Sequence, residues 1–144
     1  MHVVIWTCKD QRYATPSSSV IEVIPFVQSR PVPESESWLT GLFDYRGSLL
    51  PLIDSSRLLG HDASDIRMAT RILVIRVSED RGEHVGRVGL IVERLLGSES
   101  LDFDGDAAFM LPTSSGVKFL GPVAITADAT VQLTIPSRLP MGRD

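Results

Sequence analysis

Leu39-Thr40-Gly41-Leu42-Phe43-Asp44-Tyr45-Arg46-Gly47-Ser48-Leu49-Leu50-Pro51-Leu52-Ile53-Asp54 places an arginine on a turn, a glycine behind it, and then an apolar strand with one internal proline. The apolar run after the turn is too short for a helix, which usually needs ten or more residues, and long enough for a strand. Runs of the same kind recur on both sides. Upstream are Val3-Val4-Ile5-Trp6, Tyr13-Ala14-Thr15 and Val20-Ile21-Glu22-Val23-Ile24. Downstream are Arg71-Ile72-Leu73-Val74-Ile75-Arg76-Val77, Val88-Gly89-Leu90-Ile91-Val92, Val123-Ala124-Ile125 and Val131-Gln132-Leu133-Thr134-Ile135. Their β-branched content favours strands. Val131, Leu133 and Ile135 alternate with polar partners, the period of a half-buried strand. Ile72 to Ile75 has no polar alternate, as a strand buried on both faces requires.

Turn signals separate these runs: Lys9-Asp10-Gln11, Asp80-Arg81-Gly82 and Thr126-Ala127-Asp128. Most of the nine prolines fall at segment edges, where a missing N–H costs little. Gln28 to Ser37, with Pro31 and Pro33, and Gly60 to Ala69 are loops. Asp54 to Gly60 offers a polar start, two leucines and a terminal glycine, which predicts about two helical turns. Asp106 to Leu111 is a second short helical candidate. Closely spaced short strands with few helices predict an all-β fold, a barrel or paired barrels.

The 144 residues suit one globular domain or two small lobes sharing a core. Hydrophobic residues make up 43% of the chain and the longest apolar runs are about five or six residues, far below the ~18 a membrane helix needs. Met1-His2-Val3-Val4-Ile5-Trp6 has no basic leader and does not read as a secretory signal. The net charge of −4 leaves no basic surface for many phosphates, so nucleic acid is not expected as a partner. Cys8, the single cysteine, excludes an internal disulfide and fits a reducing, cytoplasmic compartment.

No catalytic or metal-binding pattern emerges. His2, His61 and His84 have no Cys or His at ligand spacing and read as solvated histidines. Asp102, Asp104 and Asp106 begin like a calcium loop, but Ala107 and Thr113 occupy the positions that need glycine and glutamate. Gly82, Gly86 and Gly89 lack the spacing of a phosphate-binding loop. No serine sits in a nucleophile elbow, and Cys8 has no base beside it in sequence. No cofactor, metal or catalytic residue is expected. An enzymatic or ligand-binding barrel would need a pocket with convergent polar groups, which the sequence does not offer. Arg46 has two readings: a solvated turn residue, or a rigidly presented interface arginine of the kind enriched among binding hot spots.

The segment resembles the CheW family, the coupling proteins of bacterial chemosensory arrays. That family's signature runs glycine, two or three apolar residues, Asn-Leu-Arg-Gly, apolar residues, proline and aliphatic-Asp. Gly41, Leu42-Phe43, Asp44-Tyr45-Arg46-Gly47, Ser48-Leu49-Leu50, Pro51 and Leu52-Ile53-Asp54 follow it in order and spacing. Arg57-Leu58-Leu59-Gly60 is similar to the helical turn after it. Val3 to Trp6 with Arg12-Tyr13-Ala14 resembles the opening hairpin, and Val20 to Ile24 its Val-x-Glu-Val/Ile strand. Arg71 to Val77, Gly86 to Glu93, Gly116 to Gly121 and Val131 to Ile135 resemble the later strands, so nearly the whole chain is covered.

The resemblance implies two SH3-like five-stranded β-barrel subdomains around a shared hydrophobic core. It further implies one domain over residues 1–144 built of two interleaved lobes, the second spanning residues about 20 to 80 and the first built from the remaining termini. It also implies a non-enzymatic cytoplasmic adaptor without a cofactor. Its partners would be the regulatory domain of a CheA-type histidine kinase and the cytoplasmic tip of a methyl-accepting chemoreceptor, with no membrane insertion of its own. Carried over residue by residue, the partner-binding positions are Val20, Glu22, Gly41 and Arg46. Lysine could not reproduce the planar fork of Arg46. The chain departs from the pattern at Asp44-Tyr45, which replaces Asn-Leu and offers Asp44 as a partner for Arg46. It departs again at Pro136 to Pro140, where relatives carry a helix that Pro140 opposes. These departures also fit an adaptor in a non-chemotactic chemosensory pathway, such as surface sensing, pilus control or second-messenger output.

Overall fold

The computed structural model describes residues 1–77, 86–104 and 118–139. Among these residues the chain forms ten strands, one α-helical turn and two 3-10 turns, at Ser17–Ser19 and Pro136–Arg138. β1 (His2–Cys8) and β2 (Gln11–Pro16) make a hairpin, and β3 (Val20–Pro25) follows after a short 3-10 turn at Ser17–Ser19. β4 (Leu39–Tyr45), β5 (Ser48–Asp54), α1 (Ser55–Leu58), β6 (Arg71–Val77) and β7 (Gly86–Val92) come next. β8 (Arg94–Ser100), β9 (Leu120–Ile125) and β10 (Thr130–Thr134) complete the set.

The strands form two five-stranded sheets, ordered β8-β1-β2-β10-β9 and β3-β6-β7-β5-β4. The expected all-β architecture of paired SH3-like units is therefore the observed one. Along each sheet the pairings run antiparallel, antiparallel, parallel, antiparallel. Matching the sheets position by position makes β8, β1, β2, β10 and β9 equivalent to β3, β6, β7, β5 and β4. The two units are thus circular permutants, and the second is threaded into the first between β2 and β8.

The burial pattern follows from this nesting. β1 sends Val3 and Ile5 into the first unit's own core with Ala14, Val131 and Leu133. Its alternate residues Val4, Trp6 and Cys8 enter a core shared with Leu73, Ile75, Leu90 and Val92 of the second sheet. β6 behaves likewise. Ile72 and Val74 join Phe43, Leu50 and Leu52 in the second unit's core, and Leu73, Ile75 and Val77 join the shared one. A strand between two cores has no solvent face, and so Ile72 to Ile75 has no polar alternate.

Among the described residues every buried side-chain polar group but the Ser55 hydroxyl finds a partner. The Trp6 indole N–H donates to Thr15 Oγ1 at 2.9 Å, Thr15 Oγ1 lies 3.1 Å from Thr134 Oγ1, and Thr134 donates to the Ala14 carbonyl at 2.8 Å. Leaving such a group unpaired would cost ~1–3 kcal/mol. Pro51 sits immediately before Leu52–Asp54, the part of β5 that pairs with β7, so its missing N–H leaves no gap in that ladder.

The helix after β5 is shorter than the two turns expected. Asp54 accepts the Ser56 N–H at 3.0 Å as N-cap, and the chain turns away at Gly60, whose φ is +91°. Ser64 then returns to donate both its N–H and its hydroxyl to the same carboxylate. An early exit through a left-handed glycine makes that tether possible. The turn expected at Asp80-Arg81-Gly82, the helix at Asp106 to Leu111, His84, Ala107, Thr113, and Gly116-Val117 lie outside the described residues. Among the described residues no helix is long and apolar enough to cross a membrane.

Candidate functional site

Arg46 and Gly47 form the two-residue loop between β4 and β5, with Tyr45 paired to Ser48 across it. Both loop residues have positive φ, +52° and +88°, the pattern of a type I′ hairpin turn. Glycine adopts it freely, whereas for arginine the left-handed conformation costs ~1–2 kcal/mol. The turn is over-determined: the strand register fixes both ends, and the Gly47 N–H donates to Asp44 Oδ1 at 2.8 Å. Arg46 is therefore held at the hairpin tip by a strained but fixed backbone, its side chain 73% exposed.

The Asp44 carboxylate is thus engaged by the turn, and the partner of Arg46 is Glu22. One guanidinium nitrogen lies 2.8 Å from Glu22 Oε1. The Tyr45 hydroxyl donates to that same oxygen at 2.5 Å. This bond holds the phenol neutral and raises the Tyr45 pKa above its ordinary value. An ion pair this exposed contributes only ~0–1 kcal/mol, so its consequence is orientation rather than stability.

Glu22 reaches the surface through a β-bulge. Val20 pairs with Ile75 and Glu22 with Val74, so β3 carries one extra residue there. Val20 and Val23 pack on the shared core, and Ile21 and Ile24 on the second unit's own core. Each pair is separated by three residues instead of two. The residue left over is Glu22, a use of bulges that re-aims one side chain.

Val20 is half-buried against the shared core, within two residues of Glu22. Gly41 is buried in β4, five residues before the tip, or roughly 17 Å away at ~3.4 Å per residue. The structure thus gathers Glu22 and Arg46, sets Val20 two residues from Glu22 on β3, and leaves Gly41 apart. A Cβ on Gly41 would fall 2.8 Å from the Arg30 carbonyl carbon and 2.9 Å from Ser29 Oγ. That approach demands glycine, and the φ of +159° lies at the edge of the range side chains rarely adopt. Arg30 exchanges two backbone hydrogen bonds with Leu42, linking the chain beyond β3 to β4 at the far edge of the same sheet.

Two further residues belong to the site. The Tyr45 ring is 6% exposed and lies 5.3 Å from the Arg46 guanidinium carbon and 6.0 Å from that of Arg87 on β7. Tyr45 was legible as a departure from the family pattern. Nothing in the sequence links Arg87 to a tip more than forty residues earlier. Among the described residues no three His, Cys, Asp or Glu side chains gather as metal ligands. Cys8 is buried, and desolvation raises its thiol pKa, the opposite of what a nucleophile needs.

A family model described as CheW-like domain matches residues 2–133. Among curated proteins the chain is 30% identical over 93 residues to Protein PilI of Pseudomonas aeruginosa, covering 64% of this chain and 48% of that one. It is 33% identical over 67 residues to Chemotaxis protein CheW of Helicobacter pylori, covering 46% and 41%. It is 34% identical over 65 residues to Protein FrzA of Myxococcus xanthus, covering 45% and 41%. The matched region thus spans under half the length of each of these relatives. Among solved structures, the scaffolding protein TtCheW of Thermoanaerobacter tengcongensis superposes with a TM-score of 0.77 at 20% identity, covering 92% of this chain and 82% of that one.

Proposed function

This chain belongs to the CheW-like domain family, and from that premise we propose that it is a non-enzymatic adaptor joining methyl-accepting chemoreceptors to a CheA-type histidine kinase. In this reading residues 1–144 act as one domain of two nested lobes on the cytoplasmic side, reaching membrane receptors through partners. The kinase contact is with the regulatory domain and the receptor contact with the cytoplasmic tip. Arg46 and Glu22 supply the polar part of the contact, Val20 an apolar edge, and Gly41 the fixed course of the hairpin.

The presentation of Arg46 carries the proposal. A residue held in a left-handed turn, largely exposed and oriented by Glu22, has lost much of the freedom that binding would otherwise remove. Arg46→Gly deletes the side chain and relieves the backbone strain, so the fold keeps its stability. Arg46→Ala and Arg46→Gly are both expected to weaken partner binding by ~1–3 kcal/mol. Titration calorimetry of the purified chain against the kinase regulatory domain and a receptor-tip fragment tests the reading. Absence of heat with both cognate fragments, from a folded protein, would refute it.

A second reading places the adaptor in a non-chemotactic chemosensory pathway. It is favoured by Tyr45, which replaces the family's leucine and bonds Glu22, and by PilI and FrzA standing beside CheW among the matched relatives. Pull-downs against the organism's separate kinases discriminate the two.

A further inference from the structure

We propose that Tyr45 and Arg87 extend the Arg46 tip into a platform for carboxylate side chains of a partner protein, an inference that rests on the adaptor reading. Tyr45 is buried with the second unit's core, so its ring is a fixed support. Two guanidinium groups lie against it, at 5.3 and 6.0 Å from its centroid. Both distances are within the range of cation–π attraction. Glu22 Oε1 takes Arg46 and the tyrosine hydroxyl, and among the described residues no ion pair is formed by Arg87. Asp44, the acid beside the hairpin tip, is committed to the Gly47 N–H through Oδ1.

Arg76 adds a third cation. It stands directly opposite Arg87 in the β6–β7 ladder, and like charges so placed destabilise a sheet. Three guanidinium groups therefore gather at one end of the second sheet in a chain whose net charge is −4. An acidic partner is repelled by the remainder of this surface and attracted at this end, which sets its orientation on approach. Arginines that are planar and backed by a ring recognise carboxylates by paired hydrogen bonds, a geometry lysine does not supply. Few cations and an acidic background disfavour a nucleic acid or an anionic bilayer, which need many phosphate contacts.

The connection over residues 78–85, outside the described residues, carries Glu79, Asp80 and Glu83 and supplies the competing outcome: acids of this chain that already neutralise Arg87. Fluorescence anisotropy with a short labelled peptide of glutamate and alanine, against its glutamine counterpart, decides between them. The wild-type chain is expected to prefer the glutamate peptide, with affinity falling as salt rises. Arg87→Ala should weaken that binding about three- to tenfold and flatten the salt dependence, and Arg87→Lys should restore it incompletely. Tyr45→Leu should act in the same direction, whereas Arg57→Ala, on α1 and outside the platform, should change nothing.

Equal binding of both peptides, or an unchanged Arg87→Ala variant, overturns the inference. So does tighter binding to anionic vesicles or duplex DNA that Arg87→Ala abolishes. The same variants titrated with the kinase domain and receptor fragment separate the two levels. Partner binding that ignores Arg87 sinks the platform and leaves the adaptor reading. A glutamate preference with no partner binding does the reverse.

Discussion

Replacing Gly41 by alanine tests whether this position acts through the fold or through a partner. The added Cβ would meet the Arg30 carbonyl, its carbon at 2.8 Å, and Ser29 Oγ at 2.9 Å. The hydroxyl can rotate away, but the carbonyl is backbone and moves only with its segment. Arg30 is fixed by an N–H bond to the Leu42 carbonyl at 2.7 Å and by accepting the Leu42 N–H at 2.9 Å. Displacing it breaks both bonds at ~0.5–1.5 kcal/mol each, a loss of about 1–3 kcal/mol. At ~3 °C per kcal/mol for a chain of this size, the thermal midpoint should fall by about 3–9 °C. Calorimetric melting gives the midpoint, and amide exchange at Leu42 gives the local effect, a marked loss of protection. A midpoint within ~1 °C of wild type, with Leu42 still protected, would refute the packing argument. Any binding defect of the variant would then belong to a direct contact at residue 41.

The second core offers a sharper cycle. A Cβ on Gly89 would sit 2.5 Å from Phe43 Cε1 and 2.9 Å from Ile72 Cγ2, so Gly89→Ala should cost ~1–3 kcal/mol by overpacking. Adding Phe43→Leu should recover part of that loss, and strictly additive urea-unfolding energies would contradict the contact. Asp54→Asn removes the charge that caps α1 and tethers Ser64 by two bonds, and should cost ~1–3 kcal/mol in the same assay. The chain should also weaken in alkali. Desolvation raises the pKa of Cys8 from 9.0 and of Tyr13 from 10.0, and the bond to Glu22 raises that of Tyr45 from 10.0. The unfolded chain then ionises first, so stability is intact below about pH 9 and is lost as pH climbs toward the raised folded values. Thermal midpoints measured from pH 8 to 11 should decline less steeply in Tyr45→Phe.

Most of the fold was legible because its strands are short, β-branched and bounded by turns. β8 was missed, and its residues explain why. Arg-Leu-Leu-Gly-Ser-Glu-Ser has no continuous apolar run, since the strand is a largely exposed sheet edge that, among the described residues, pairs with β1 alone. β4 was hidden in the same way by Thr40 and Asp44 on its solvent side. At the site, sequence proximity offered Asp44 as the partner of Arg46. The hairpin instead turns that carboxylate onto the Gly47 N–H. Glu22 replaces it from another strand because of a bulge, which a single extra residue creates without a compositional mark.

The permuted relation between the two sheets gives the asymmetry of the site a structural meaning. The β4–β5 hairpin of the second sheet is equivalent, by pairing order, to the β9–β10 hairpin of the first. Each lies outermost in its sheet, joined through its inner strand by the one parallel pairing. Their tips differ in chemistry. One presents Arg46 from a strained two-residue turn. The other closes through Thr126, whose hydroxyl accepts the Ala129 N–H and lies 3.2 Å from Asp128 Oδ1, so its charge is negative. A repeated scaffold with identical tips would offer one partner two interchangeable places. Opposite charges at equivalent places remove that ambiguity, because an acidic surface drawn to Arg46 is repelled at Asp128. In the proposed adaptor reading, that difference is what tells the two otherwise equivalent tips apart.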